Sequence, residues 1–139
     1  MKALTKGLYD LLTRPEPWPP NTIGFYNAKP AVFTARPVPQ NAPFPFVVIE
    51  PSLRDDRFDT KTTRGREIEL ELIVVDKRTG TIAKVEEIGD HLRDLLDRYP
   101  LTVEGHRVIV MEATGPSGGP QDEDIYTRVV GLRVVIEEA

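Results

Sequence analysis

Two histidines, His91 and His106, and two serines, Ser52 and Ser117, are the side chains of this 139-residue chain best suited to proton transfer or nucleophilic attack. Neither histidine stands at metal-ligand spacing from the other, and no HExxH-type pattern occurs. His91 falls beside Leu92 and Leu95 on a helical stripe, which reads as a boundary position; His106 follows Gly105 at the start of a strand. Neither serine sits in a G-x-S-x-G turn, so no nucleophile–base pair emerges. The run Asp122-Glu123-Asp124 offers oxygen ligands for a divalent cation, but on a Gly/Pro-rich loop three adjacent carboxylates read as solvated. The preceding "GPSGGP" lacks the Lys-Ser/Thr pair of a phosphate cradle. With no cysteine, disulfides and thiolate metal sites are excluded. No catalytic, metal or cofactor site is expected.

The chemistry that remains is charge. Residues 54–66, "RDDRFDTKTTRGR", interleave Arg54, Arg57, Lys61, Arg64 and Arg66 with Asp55, Asp56 and Asp59 around a single aromatic residue, Phe58. A structureless loop of this length in a compact domain is uncommon unless it is functional. Phe58 is an apolar group that a merely solvated loop does not need. Over the whole chain, 22 acidic residues face 18 basic ones, a net charge of −4. That argues against a non-specific grip on a nucleic-acid backbone.

The elements that must carry this arm are legible from periodicity. Leu4, Leu8, Leu11 and Leu12 form one stripe of a helix over 2–13, stopped by Pro15 and Pro17. Residues 14–45 are proline-rich, yet Trp18, Ile23, Phe25, Tyr26, Val32 and Phe33 predict an ordered loop lying on the body. A short strand is expected at 31–36, at a sheet edge because of Pro37 and Pro39, and another at 46–50. In "EIELELIVV", Ile68, Leu70, Leu72 and Val74 alternate with Glu67, Glu69 and Glu71, the pattern of a half-buried antiparallel strand. Burying those four apolar side chains contributes roughly 6–12 kcal/mol before entropy.

Thr81 can cap a second helix whose stripe runs from Ile82 through Val85, Ile88, Leu92, Leu95 and Leu96 to about Arg98. A strand at 106–113, a turn-rich loop and a long strand with Val130, Leu132, Val134 and Ile136 inward complete the order α-β-β-β-α-β-β. The expected fold is α+β: an antiparallel sheet with two helices packed on one face, a single domain over 1–139 with a projecting charged loop at about 54–66. No run of about 18 apolar residues occurs, and the N-terminal segment is amphipathic rather than signal-like, so a soluble intracellular protein without a membrane partner is expected.

The ordered series "PFPFVVIE", "FDTKTTRGREIELELIVVDKRTG", "IAKVEEIGDHLRDLLD" and "DEDIYTRVVGLRVVI" resembles the tail-completion, or tail-terminator, proteins of long-tailed bacteriophages and gene transfer agents. The resemblance covers nearly the whole chain, including "ALTKGLYDLL"; where such proteins end the strand near a Trp-Ser-like turn, Val75-Asp76-Lys77 stands here. It implies a non-enzymatic assembly protein, in a phage-like particle, that forms a homo-oligomeric, sixfold ring on the head-proximal end of the tail tube. The implied partners are the tail tube protein and the head connector or head-closure protein, with DNA passing through the lumen unbound. A ring needs a patch on one subunit that meets a different patch on the next, and the arm 54–66 is the expected contact. The alternatives are another neck component, an intracellular α+β module binding a ligand or peptide through the aromatic loop 18–33, and an enzyme whose site no motif marks.

Overall fold

The computed structural model describes residues 1–35, 37–50, 54–57, 59, 64–78, 82–119 and 124–139. Helix α1 spans Lys2–Leu12 and buries the expected stripe of Leu4, Leu8, Leu11 and Leu12. Its C-terminal carbonyls are satisfied by side chains: the Thr13 hydroxyl donates to Tyr9 O at 2.7 Å and the Trp18 indole N–H to Leu12 O at 2.8 Å. Trp18 is thereby pinned and buried, a loop residue that closes over the core.

The segment that follows forms three two-residue strands, β1 (Phe25–Tyr26), β2 (Lys29–Pro30) and β3 (Val32–Phe33). The first two pair with each other as a small antiparallel ribbon. β3 is the core of the short strand expected at 31–36 and does lie at the end of the main sheet, whose order is β3-β4-β6-β8-β7. β4 is Phe46–Ile49, β6 Gly65–Lys77, β7 His106–Gly118 and β8 Ile125–Glu138. A further strand, β5 (Arg54–Arg57), pairs with β6 beyond the reach of β4. All main-sheet pairings are antiparallel except β3–β4, which is parallel.

β6 and β8 form the frame, paired without a break from Gly65↔Glu137 to Lys77↔Ile125. On one face, Ile68, Leu70, Leu72 and Val74 of β6 meet Val130, Leu132, Val134 and Ile136 of β8 under both helices. Helix α2 spans Ala83–Leu96 and contributes Val85, Ile88, Leu92 and Leu96. Gly89 marks its closest approach to β7: a Cβ there would fall 2.6 Å from Pro116 Cβ. Thr81, the expected cap, lies outside the described residues.

Two strands run beyond expectation. Arg54–Arg57 are strand rather than free loop, because the β6 backbone past β4 offers an open ladder and cross-strand charge pairs hold it. β7 continues to Gly118, absorbing Gly115 and Pro116 through a register shift between Thr114 and Ser117; Gly115 has φ +100, and a Cβ on it would meet Val129 O at 2.8 Å. The outer edge of β7 is partly closed by the chain leaving α2. Arg98 N–H donates to Met111 O at 2.8 Å, and Asp97 Oδ1 accepts the Ala113 N–H at 3.1 Å.

Candidate interface on the charged hairpin and the outer sheet face

The residues expected at an interface are brought together around the β5–β6 hairpin. Arg54, Asp55, Asp56 and Arg57 form β5, and all four are exposed. Asp59 helps close the hairpin by accepting the Gly65 N–H at 3.4 Å, and Arg57 Nη2 lies 3.2 Å from its carboxylate. Arg66 makes a two-pronged contact with Asp55 at 2.8 and 2.6 Å. Arg64 and Arg66 lead into β6, and Arg64 O accepts the Glu138 N–H at 2.9 Å. Phe58 and Lys61 lie outside the described residues.

The hairpin charges belong to a larger pattern. Arg54 stands opposite Glu69, Glu69 opposite Arg133, and Arg133 opposite Glu112, one alternating row across β5, β6, β8 and β7. Arg54 Nη1 is 3.7 Å from Glu69, Arg133 Nε donates to Glu67 at 2.8 Å, and Arg133 Nη1 is 3.5 Å from Glu112. Arg54 also pairs with Asp56. The guanidinium of Arg54 is held above its usual range first by the Asp56 hydrogen bond, then by the charges of Asp56, Glu67 and Glu69. That of Arg133 is raised chiefly by its hydrogen bond to Glu67. Both side chains are well exposed, so the pattern sets orientation more than stability.

The opposite side of the hairpin carries Arg57 directly across from Arg66. These two, with Arg64 and His106, rim a hollow of about 280 Å³ beside Asp59 and Glu138.

Glu71 ends the charged part of the outer face. Its carboxylate has no partner among the described residues, and it borders a second hollow of about 320 Å³ with Glu69, Glu112 and Arg133. Gly131 forms the floor there; a Cβ would fall 2.9 Å from Thr114 Oγ1. Beyond Glu71 the same face turns apolar. Ile73, Val75, Phe46, Val48 and Val129 form a second cluster with Ala31, away from the helices. Val38, Pro37 and Ile125 flank it, leaving an open groove of about 590 Å³. The expectations from sequence do not include this groove. Its signal is the unbroken "IVV" after the alternating glutamates, since a strand apolar on both sides is covered on both sides.

The other candidates resolve into scaffold. Trp18 stacks against His91 with ring centroids 5.4 Å apart, and His91 Nε2 bonds the Pro17 carbonyl at 2.5 Å, tying the proline-rich segment to α2. Tyr26, Phe33, Phe46 and Phe44 make a chain of aromatic contacts, while Phe25 stays exposed. His106 Nδ1 bonds Glu104 O at 2.9 Å, within a turn. Ser117 Oγ lies 3.5 Å from Val129 O in the β7 shift. Ser52, Asp122 and Glu123 lie outside the described residues; Asp124 accepts the Arg78 N–H through its backbone at 2.9 Å. Among the described residues, no group of three or more His, Asp or Glu side chains is placed to hold a metal ion.

No curated protein matches the sequence. A chain from a structure described as "Virion of native gene transfer agent (GTA) particle" shares the fold with a TM-score of 0.65 at 18% identity, covering 77% of this chain and 78% of that one. The family model described as "Tail completion protein gp17" matches residues 27–137, from the β1–β2 ribbon almost to the end of β8. The chain belongs to the tail completion protein gp17 family, structural proteins of phage tails.

Proposed function

We propose that the protein closes into a homo-oligomeric ring on the head-proximal end of a phage-like tail tube, ends tube growth there and joins the tube to the head connector. It does this by binding alone, without catalysis, and works within the assembled particle. The observation that carries this reading is β5: a four-residue strand exposed throughout, held in the sheet by backbone pairing and a row of opposite charges. Such a strand buries no apolar side chain within its own subunit, so contacts elsewhere offset part of its cost of ordering. The hairpin 54–66 is the interface segment, and an acidic chain lining a lumen leaves passing DNA unbound.

Deleting residues 55–63 tests this reading. β6 keeps its pairing with β4 and, beyond its first few residues, with β8; those first residues unpair to bridge the shortened link, and the body still folds. The expected result is a folded subunit that no longer assembles by native mass measurement and tails of uncontrolled length by electron microscopy. Unchanged rings and tails of normal length would overturn the proposal.

A further inference from the structure

We infer that the row of alternating charges on the outer sheet face runs on from one copy into the next: β5 of one subunit lies against the β7 edge of its neighbour, with Arg54 facing Glu112. This rests on the ring reading and names the edge that β5 meets.

The row supplies the complementary charge. From β5 to β7 it reads Arg54, Glu69, Arg133, Glu112. It therefore starts on a cation at one edge of the sheet and finishes on an anion at the other. The side chains of Arg54 and Glu112 are 52% and 56% exposed, and their contacts along the row are long, 3.7 Å to Glu69 and 3.5 Å to Arg133. Arg54 also pairs with Asp56 of its own strand. A second copy set beside the first in the same orientation continues the alternation across the boundary.

The two edges match in direction and level. Each strand in the series β5-β6-β8-β7 is antiparallel to the next, so β5 of an incoming copy runs antiparallel to β7 as well. Through β6 and β8, Arg54 is level with Glu112 and Arg57 with Val108. Among the described residues β5 pairs with β6 alone, which leaves its other edge open. On β7, the chain leaving α2 occupies Met111 O and the Ala113 N–H. Side chains, not a continued backbone ladder, therefore cross the boundary there.

Facing Arg54 with Glu112 in antiparallel strands brings Arg57 beside Ile109. Ile109 sits in the register shift between Val108 and Val110 and is 49% exposed. A bulge at a sheet edge re-aims its side chain. Here it offers an apolar surface to the aliphatic stem of Arg57, itself 82% exposed.

The ends of the row cannot meet within one subunit. β6 and β8 hold β5 and β7 apart by three strand spacings, about 14 Å. Their contact is head-to-tail between copies, the type that generates a ring when the rotation closes.

Charge exchange tests the contact. Arg54→Glu and Glu112→Arg are each expected to weaken self-association at least about tenfold by native mass measurement, because each sets like charges face to face. Mixing the two variants restores assembly, since every boundary of an alternating ring then joins opposite charges. The double variant restores it as well. The chain has no cysteine, so cross-linking supplies a second readout. Arg57→Cys and Ile109→Cys in one chain, treated with a short bis-maleimide, are expected to give a covalent ladder of dimer, trimer and higher species. A mixture of the two single variants gives dimers only. Should either charge variant fail to fold by circular dichroism, the cross-linking decides. Rings that form unchanged in both charge variants, or an intact ring that gives no ladder, overturn this contact while leaving the ring reading in place. Dimers of Ile109→Cys alone overturn it too, since β7 would then meet β7. A parent chain that stays monomeric, alone and with tail tubes, overturns the ring reading and this contact together.

Discussion

Arg57 and Arg66 face each other directly across the β5–β6 ladder. Like charges in that position destabilise an antiparallel pair, and here Asp55 pairs with Arg66 and Asp59 with Arg57 to offset them. Replacing Arg57 with Thr is expected to leave the isolated subunit as stable as the parent or about 0.5 kcal/mol more so, measured by urea denaturation. The same variant is expected to assemble less well. A marked loss of subunit stability would show that Arg57 serves the fold rather than the interface.

The helical layer rests on close packing at Gly89. In Gly89→Ala, the new Cβ meets Pro116, so α2 must lift from β7. Overpacking of this kind costs about 1–3 kcal/mol, which outweighs the gain of about 1 kcal/mol in helix propensity. A net stabilisation in thermal unfolding would contradict the packing described.

Leu92 and Leu72 are fully buried on facing layers. Truncating either to Ala is expected to cost about 2–5 kcal/mol, read from the denaturation midpoint. The single Trp18, buried and bonded to Leu12 O, provides the fluorescence signal for these transitions. Trp18→Phe itself is expected to cost about 1–3 kcal/mol through the unsatisfied helix-end carbonyl and lost packing.

The outer-face charge row predicts how assembly responds to solution conditions. The pKa values of Arg54 and Arg133 are raised in the folded chain. A raised value means that the stabilisation is fully present below the unfolded value and is lost only as pH climbs through the folded one, above the working range. Moving from pH 7 to pH 9 should therefore leave both guanidinium pairs intact. Raising salt to about 1 M shortens screening to about 3 Å and is expected to shift the proposed ring toward monomer. A ring indifferent to salt would mean that the charges contribute little to it.

Much of the fold was legible because periodicity survives where a single face is buried. The stripes of α1 and α2 and the alternation of β6 and β8 fall where the sequence placed them. The sequence was less informative where backbone pairing, not side-chain burial, decides the structure. "RDDR" has no apolar residue to mark it as a strand, and its order comes from the free ladder of β6. β7 ignores the turn signal of Gly115-Pro116 because the shift in register accommodates both. The unbroken "IVV" marks β6 as apolar on both sides there, but that β3, β4 and Val38 border Ile73 and Val75 is a tertiary arrangement that no local pattern encodes. Arg54, Asp55, Asp56 and Arg57 lie along one strand, where alternation puts Arg54 and Asp56 on one face and Asp55 and Arg57 on the other; Phe58 and Lys61 lie outside the described residues.

In the proposed function, copies of this chain close into a ring that caps a tube. Purified protein added to polymerising tail tubes, imaged by electron microscopy, tests it most directly. Ring-shaped density at one end only of each tube and arrest of growth are the expected result. Tubes that lengthen without limit and carry no terminal density would contradict it.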